Sequence, residues 1–91
     1  MNKQLLIDLY AANEVMEYIQ ACSKLAVEND NVDLLLQGLK VSIDKLLNYR
    51  KQFETASLIK EFPVEGLEVM KNINKFIEIY YEYFPVISQN A

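Results

Sequence analysis

The sequence predicts an all-α protein, an antiparallel three-helix bundle that dimerisation would complete. Three observations favour this fold. Three long segments repeat their apolar residues with the period of an α-helix, and only two glycines and two prolines occur in 91 residues. A hydrophobic fraction of 52% with 24% charged residues is typical of a folded domain. The chain is therefore expected to form one domain over residues 1–91, with helices near 3–28, 31–58 and 63–84 and a short tail at 85–91.

The second segment is expected to be the centre of the fold. Its apolar residues fall within roughly 80° either side of Leu39 on a helical projection. They are Val32, Leu35, Leu36, Leu39, Ile43, Leu46, Leu47, Tyr49 and Phe53. An arc this wide can contact two neighbouring helices at once. Gly38 interrupts this helix at a cost of about 1 kcal/mol relative to alanine, which indicates either close approach of another backbone or tolerance near the surface.

The first segment is predicted to be a long amphipathic helix with an unusually wide apolar side. Beyond its central stripe, Ile7, Tyr18 and Leu25 extend the apolar arc to roughly 200°, more than one core-facing side requires. Cys22 lies on the apolar side and is interpreted as a small core residue. The polar residues 28–31 then break the period, and Asp30 or Asn31 is expected to cap the second helix.

The third segment is predicted to begin at Phe62-Pro63, because proline favours the first turn of a helix. Pro85 is expected to stop this helix. Seven residues are predicted to form the centre of its apolar side, namely Leu67, Met70, Ile73, Ile77, Tyr80, Tyr81 and Phe84. Val69, Phe76 and Tyr83 are expected to widen that side.

The end of the third segment is the predicted partner-binding site. Five aromatic residues, Phe76, Tyr80, Tyr81, Tyr83 and Phe84, occur within nine positions. At 150–250 Å² each they carry roughly 750–1,250 Å², more than the roughly 300–600 Å² of a monomer's largest apolar patch. We expect a second copy or another protein to cover part of them, together with the wide side of the first helix. Simple core packing is the alternative.

Arg50 is included in the predicted partner-binding site. It projects only about 20° from the centre of the apolar side of the second helix, with Glu54 one turn later as a possible partner. One interpretation is an arginine at the end of the bundle, with a buried stem and a solvated head. The other is a polar contact to another chain.

Composition argues against several classes of function. Histidine is absent, which removes the usual general base and the usual transition-metal ligand. A net charge of −4 has the wrong sign for binding phosphate, and neither a glycine-rich phosphate loop nor a calcium loop is present. The sequence therefore predicts a protein with no catalytic, cofactor or metal site and no nucleic-acid partner.

The expected function is that of a non-catalytic protein-interaction module: a small adaptor, chaperone, inhibitor or regulator. A helical nucleic-acid-binding regulator is the competing class. Asp8 and Glu14 within the first apolar segment argue against a signal peptide or a membrane span, so a cytoplasmic location is expected.

One junction resembles a known family. Lys24-Leu25-Ala26, a polar turn and then Asp33-Leu34-Leu35-Leu36-Gln37 are similar to the junction between the first two helices of FliT-type flagellar export chaperones. Those proteins are small and helical and hold a secretion substrate. The resemblance implies an export chaperone as an alternative function.

Overall fold

The computed structural model describes residues 3–84, which form four helices and no strand. The helices are α1 (Lys3–Glu28), α2 (Val32–Thr55), α3 (Leu58–Glu61) and α4 (Pro63–Tyr83). The all-α prediction is confirmed. The predicted tail at 85–91, and with it the role of Pro85, lies outside the described residues.

The helical conformation is interrupted between α2 and α3, within the range 31–58 that the sequence predicts to be one helix. Ser57 adopts a left-handed conformation (φ 56°, ψ 51°). A residue in that region cannot continue a right-handed helix. The second helix therefore ends at Thr55, short of the predicted 31–58, and a separate one-turn helix follows.

The one-turn helix α3 is held against the first turn of α4. Leu58 is fully buried, and Gly66 of α4 approaches it closely. A Cβ atom at position 66 would lie 3.1 Å from the carbonyl oxygen of Leu58 and 3.2 Å from the Cα of Ile59. Because two of these neighbours are backbone atoms, only glycine fits here without a shift of the chain.

A single hydrophobic core joins α1, α2 and α4, with α3 closing one end. Its largest fully buried side chains are Phe53, Ile19, Leu39, Leu46, Leu58, Ile73 and Val69. Phe53 stacks on half-buried Tyr49, with ring centroids 5.7 Å apart. The second helix supplies Leu39, Ile43, Leu46 and Phe53 to this core, which agrees with its predicted central position.

α1 and α2 run in opposite directions. Cys22, near the end of α1, lies beside Gly38, near the start of α2. Leu5, near the start of α1, lines the same surface depression as Thr55, the last residue of α2. The reversal takes only three residues, and Asn31 caps α2 by accepting a hydrogen bond from the Asp33 amide over 3.1 Å.

Gly38 marks a close approach between α1 and α2, although to a side chain and not to another backbone as the sequence analysis considered. A Cβ atom at position 38 would lie 2.8 Å from the Cys22 Sγ and 2.9 Å from the Cys22 Cβ. Gly38 is buried while Cys22 is half-buried. The close neighbour is thus the side chain of Cys22 on the facing helix, and tolerance near the surface is not the reason for glycine.

The apolar side of α4 is rotated relative to the predicted centre. Val69 and Phe76, placed at its margin by the sequence analysis, are buried, whereas Leu67 and Tyr81 are 50% and 44% exposed. Leu67 lies about 120° from Ile73 on a helical projection, and Phe76 only about 60°. The contacts of α4 with α2 and α1 therefore centre on Ile73, which is fully buried.

Candidate protein-interaction surface

The last turns of α4 carry a cluster of aromatic rings in mutual contact. The Tyr80 ring stacks on Phe84, with centroids 4.8 Å apart and planes inclined by 28°. It also meets Tyr81 edge-on, at 5.3 Å and 81°. Tyr80, Tyr81, Tyr83 and Phe84 are called the aromatic end from here on.

Burial declines along one side of α4 towards the aromatic end. Ile73 and Ile77 are 0% and 4% exposed, whereas Tyr80 and Phe84, within about 20° of Ile73 on a helical projection, are only half-buried. The same side of the helix that forms the core is therefore only partly covered at its end.

Tyr81 and Tyr83 flank this partly covered stripe. They are 44% and 53% exposed. They are two positions apart, and a rotation of about 200° along the helix leaves roughly 160° between them on the side that holds Tyr80 and Phe84. One of them therefore lies on each side of this ring pair. The four side chains together form an aromatic surface that wraps roughly 160° of α4.

Phe76 is separate from this surface. It was assigned to the partner-binding site with the other aromatic residues, but it is 9% exposed and belongs to the core cluster. It lies about 60° from Ile73, on the part of α4 that packs inward. Phe76 supports α4 from within and has little surface to offer a partner.

Arg50 contacts a neighbouring helix of its own chain. It is half-buried, and its Nη1 donates a hydrogen bond to the Asn74 Oδ1 over 3.3 Å. Asn74 lies in the middle of α4, so this bond ties α2 to α4 before the aromatic end begins. Glu54, the partner considered in the sequence analysis, is exposed.

A second surface feature lies between α1 and α2. A groove of about 710 Å³ is bordered by Ala11, Val15 and Tyr18 on α1 and by Val41 and Tyr49 on α2. Its charged rim residues are Asp8 and Glu14 on α1 and Lys45 on α2. No residue of α4 among the described positions lines it. The wide apolar side predicted for the first helix faces this groove through Tyr18, which is 50% exposed.

Sequence reasoning missed the α2 wall of this groove. Val41 is 66% exposed and stands outside the main apolar arc of its helix. No sequence signal marks Val41, and the signal for the groove lies on its α1 wall, where positions 8, 11, 15, 18, 22 and 25 form a second stripe beside the core stripe with a 3-4 spacing. Four of these six residues are apolar or aromatic and a fifth is Cys22.

Tyr18 and Cys22 form a local pair at one end of the groove. A side-chain hydrogen bond with Cys22, reinforced by the charge that the thiol carries when ionised, raises the pKa of Tyr18 above its ordinary value of 10.0. The Tyr18 phenol therefore keeps its proton to a higher pH than a free tyrosine does.

Residues 3–84 contain neither a metal-binding cluster nor a membrane-spanning helix. In this part of the chain no three His, Cys, Asp or Glu side chains come together so as to hold a metal ion. None of its helices is both long and apolar enough to cross a membrane.

Comparisons with protein-family models, with curated proteins and with solved structures find no match for this chain.

Proposed function

We propose that this chain is a non-catalytic protein-interaction module that binds another protein through the aromatic end of α4. The observation that carries the proposal is the loss of cover along one side of α4. Ile73 and Ile77 are buried, whereas Tyr80 and Phe84 continue the same stripe half-exposed, flanked by exposed Tyr81 and Tyr83.

The chemistry of these side chains supports a protein partner. Tyrosine and phenylalanine supply a large contact area with few rotatable bonds, and aromatic residues are enriched in the cores of protein interfaces. Contacts of 4.8 Å and 5.3 Å between the Tyr80 ring and its neighbours already restrict the rings before binding. A surface ordered in this way loses less entropy when a partner docks.

The expected contribution of Tyr83 to the free energy of partner binding follows from its exposed area. Tyr83 is 53% exposed, which for a ring of 150–250 Å² amounts to roughly 100 Å². At about 25 cal/mol per Å², covering it would contribute roughly 2.5 kcal/mol. The Tyr83→Ala variant should therefore bind a partner about 60-fold more weakly.

The supporting architecture is part of the proposal. We propose that α1, α2 and α4 constitute an antiparallel three-helix bundle, with the Arg50–Asn74 bond and buried Phe76 fixing α4 so that the aromatic end is presented rigidly. A cytoplasmic setting accords with a single cysteine, which cannot form an internal disulfide.

The experiment is comparative enrichment from the source cell with quantitative mass spectrometry. The bait proteins are wild type, Tyr83→Ala and Tyr10→Ala. Tyr10 is the matched control, because it is a tyrosine of α1 that is 62% exposed and lies outside the aromatic end. A partner should be lost with Tyr83→Ala and kept with Tyr10→Ala. Equal recovery of all proteins with both variants would mean that the aromatic end serves core packing and binds no partner.

The same experiment separates the other functions considered. An export chaperone, as the junction at 24–37 implies, would recover a secreted protein through the aromatic end. A nucleic-acid-binding regulator would instead bind DNA or RNA with an affinity that falls steeply with salt. The net charge of −4 weighs against that behaviour.

A further inference from the structure

Within residues 3–84, no other segment covers the face of the α1–α2 pair that points away from α4. The Cα atoms span only 17 Å in their shortest dimension. Two layers of helices, with axes about 8–10 Å apart and Cα cylinders of about 2.3 Å radius, account for that thickness. The helices of the described part of the chain therefore form no third layer over the groove between α1 and α2, where Tyr18 and Val41 are 50% and 66% exposed.

The charges on the two walls of this groove differ in sign. Asp8 and Glu14 line it from α1, and Lys45 lines it from α2. Lys51 of α2 lies outside the groove and lines an adjoining depression together with Asp8. All three of Glu14, Lys45 and Lys51 are exposed. A surface with one acidic and one basic wall is complementary to a copy of itself, provided that each α1 packs on the other copy's α2.

We infer that this groove is a self-association surface and that its occupant is a second copy of the chain, forming a four-helix interface around a two-fold axis parallel to the helices. Rotation about such an axis does not change the position of a residue along the direction of the helices. Glu14 of one copy then faces Lys45 of the other, and Asp8 faces Lys51, each pair occurring twice. The apolar pair Tyr18 and Val41 meets across the interface in the same way.

The alternative two-fold arrangement is less favourable. An axis perpendicular to the helices in the plane of the interface would place α1 on α1 and α2 on α2. Acidic residues would then face acidic residues, and lysines would face lysines. Neighbouring helices are antiparallel in both arrangements, so the charges distinguish the two axes and the helix dipoles do not.

The available area suits a dimer. α2 has 24 residues, so the face is about 36 Å long, and two adjacent helices make it about 20 Å wide. Each copy contributes roughly 700 Å², and the pair roughly 1,400 Å², within the range of about 1,200–2,000 Å² for specific interfaces. This surface lies apart from the aromatic end, so the inference does not rest on the proposed function.

The inference is tested by measuring the dimer dissociation constant by sedimentation equilibrium for variants in which the charges of the groove are reversed or exchanged. Lys45→Glu sets two like-charge pairs across the interface and should weaken the dimer about tenfold or more. The double variant Glu14→Lys with Lys45→Glu restores both pairs and should recover the wild-type dissociation constant to within about threefold. Lys40→Glu, an exposed lysine of the same helix that does not line the groove, is the matched control and should have no effect.

A second variant tests the apolar contact. Val41→Glu puts a charge on an exposed apolar side chain of the groove, so it should abolish the dimer while leaving the helical circular dichroism spectrum unchanged. Tyr83→Ala should leave the dimer intact. A wild-type protein that is monomeric at about 200 µM, or a dimer insensitive to both Lys45→Glu and Val41→Glu, would overturn the inference, as would failure of the double variant to restore association.

Discussion

Replacing Gly38 with alanine tests the contact between α1 and α2 directly. In an isolated helix this change would be favourable by about 1 kcal/mol, because glycine is the poorer helix former. Here the added Cβ would lie 2.8 Å from the Cys22 Sγ and 2.9 Å from the Cys22 Cβ. The second atom is next to the backbone, so a rotation of the Cys22 side chain cannot relieve both contacts.

The two effects can be weighed against each other. Overpacking a tight contact typically costs about 1–3 kcal/mol, which exceeds the gain in helix propensity. The net prediction is a loss of about 1 kcal/mol in the free energy of unfolding. For a domain of this size that loss lowers the melting temperature by roughly 4–8 °C. Urea denaturation followed by circular dichroism at 222 nm would measure it.

Two controls isolate the steric effect. Gln37 is exposed one position away, so the difference between Gln37→Ala and Gln37→Gly measures the propensity gain in the same helix. In a Cys22→Gly background both close atoms are gone, and Gly38→Ala should then stabilise the protein by about 1 kcal/mol. If Gly38→Ala stabilises the otherwise wild-type chain by that amount, the close approach described here is wrong.

Three further predictions concern the core, the cap and the Tyr18 phenol. Phe53→Ala empties a site that is 1% exposed and should cost about 3–5 kcal/mol in urea denaturation; a loss below about 1 kcal/mol would contradict its place in the core. Asn31→Ala removes the hydrogen bond to the Asp33 amide and should cost about 1 kcal/mol, whereas Asn31→Asp should retain most stability. Cys22→Ala removes the group that raises the pKa of Tyr18, so an NMR titration should show that pKa falling towards 10.0. An unchanged value would mean that Cys22 is not the cause.

The all-α class could be read from the sequence because it depends on local periodicity. In α2 the apolar residues repeat with the helical period, and Leu39 and Phe53 of that stripe are buried. The wide apolar side of the first helix was also visible, since Tyr18 extends the arc. These features need no knowledge of which helices are neighbours.

The break at Ser57 could not be read in the same way. Serine has little intrinsic preference for the left-handed region, and the packing of Leu58 against Gly66, directly after the turn, joins residues eight positions apart. The reason for glycine at position 38 could not be predicted either, because the side chain that approaches it, Cys22, belongs to the facing helix. Such contacts depend on the pairing of distant segments.

The candidate site was predictable in composition but not in orientation. The aromatic cluster is evident in the sequence, yet the rotation of α4 that buries Phe76 and exposes Tyr81 depends on how α4 meets α2. The α1–α2 groove was missed because Val41 stands alone on a polar side of its helix. Its significance appears only when Tyr18 is placed across from it.

Site-specific photocrosslinking in the source cell tests the binding role of the aromatic end most directly. A photoreactive phenylalanine replaces Tyr83 in one variant and Tyr10 in the other, because both positions are exposed and aromatic. We predict a covalent adduct with a different protein from position 83 and none of that adduct from position 10. The absence of any adduct at position 83, an adduct with a second copy of this chain alone, or equal yields at both positions would contradict the proposal.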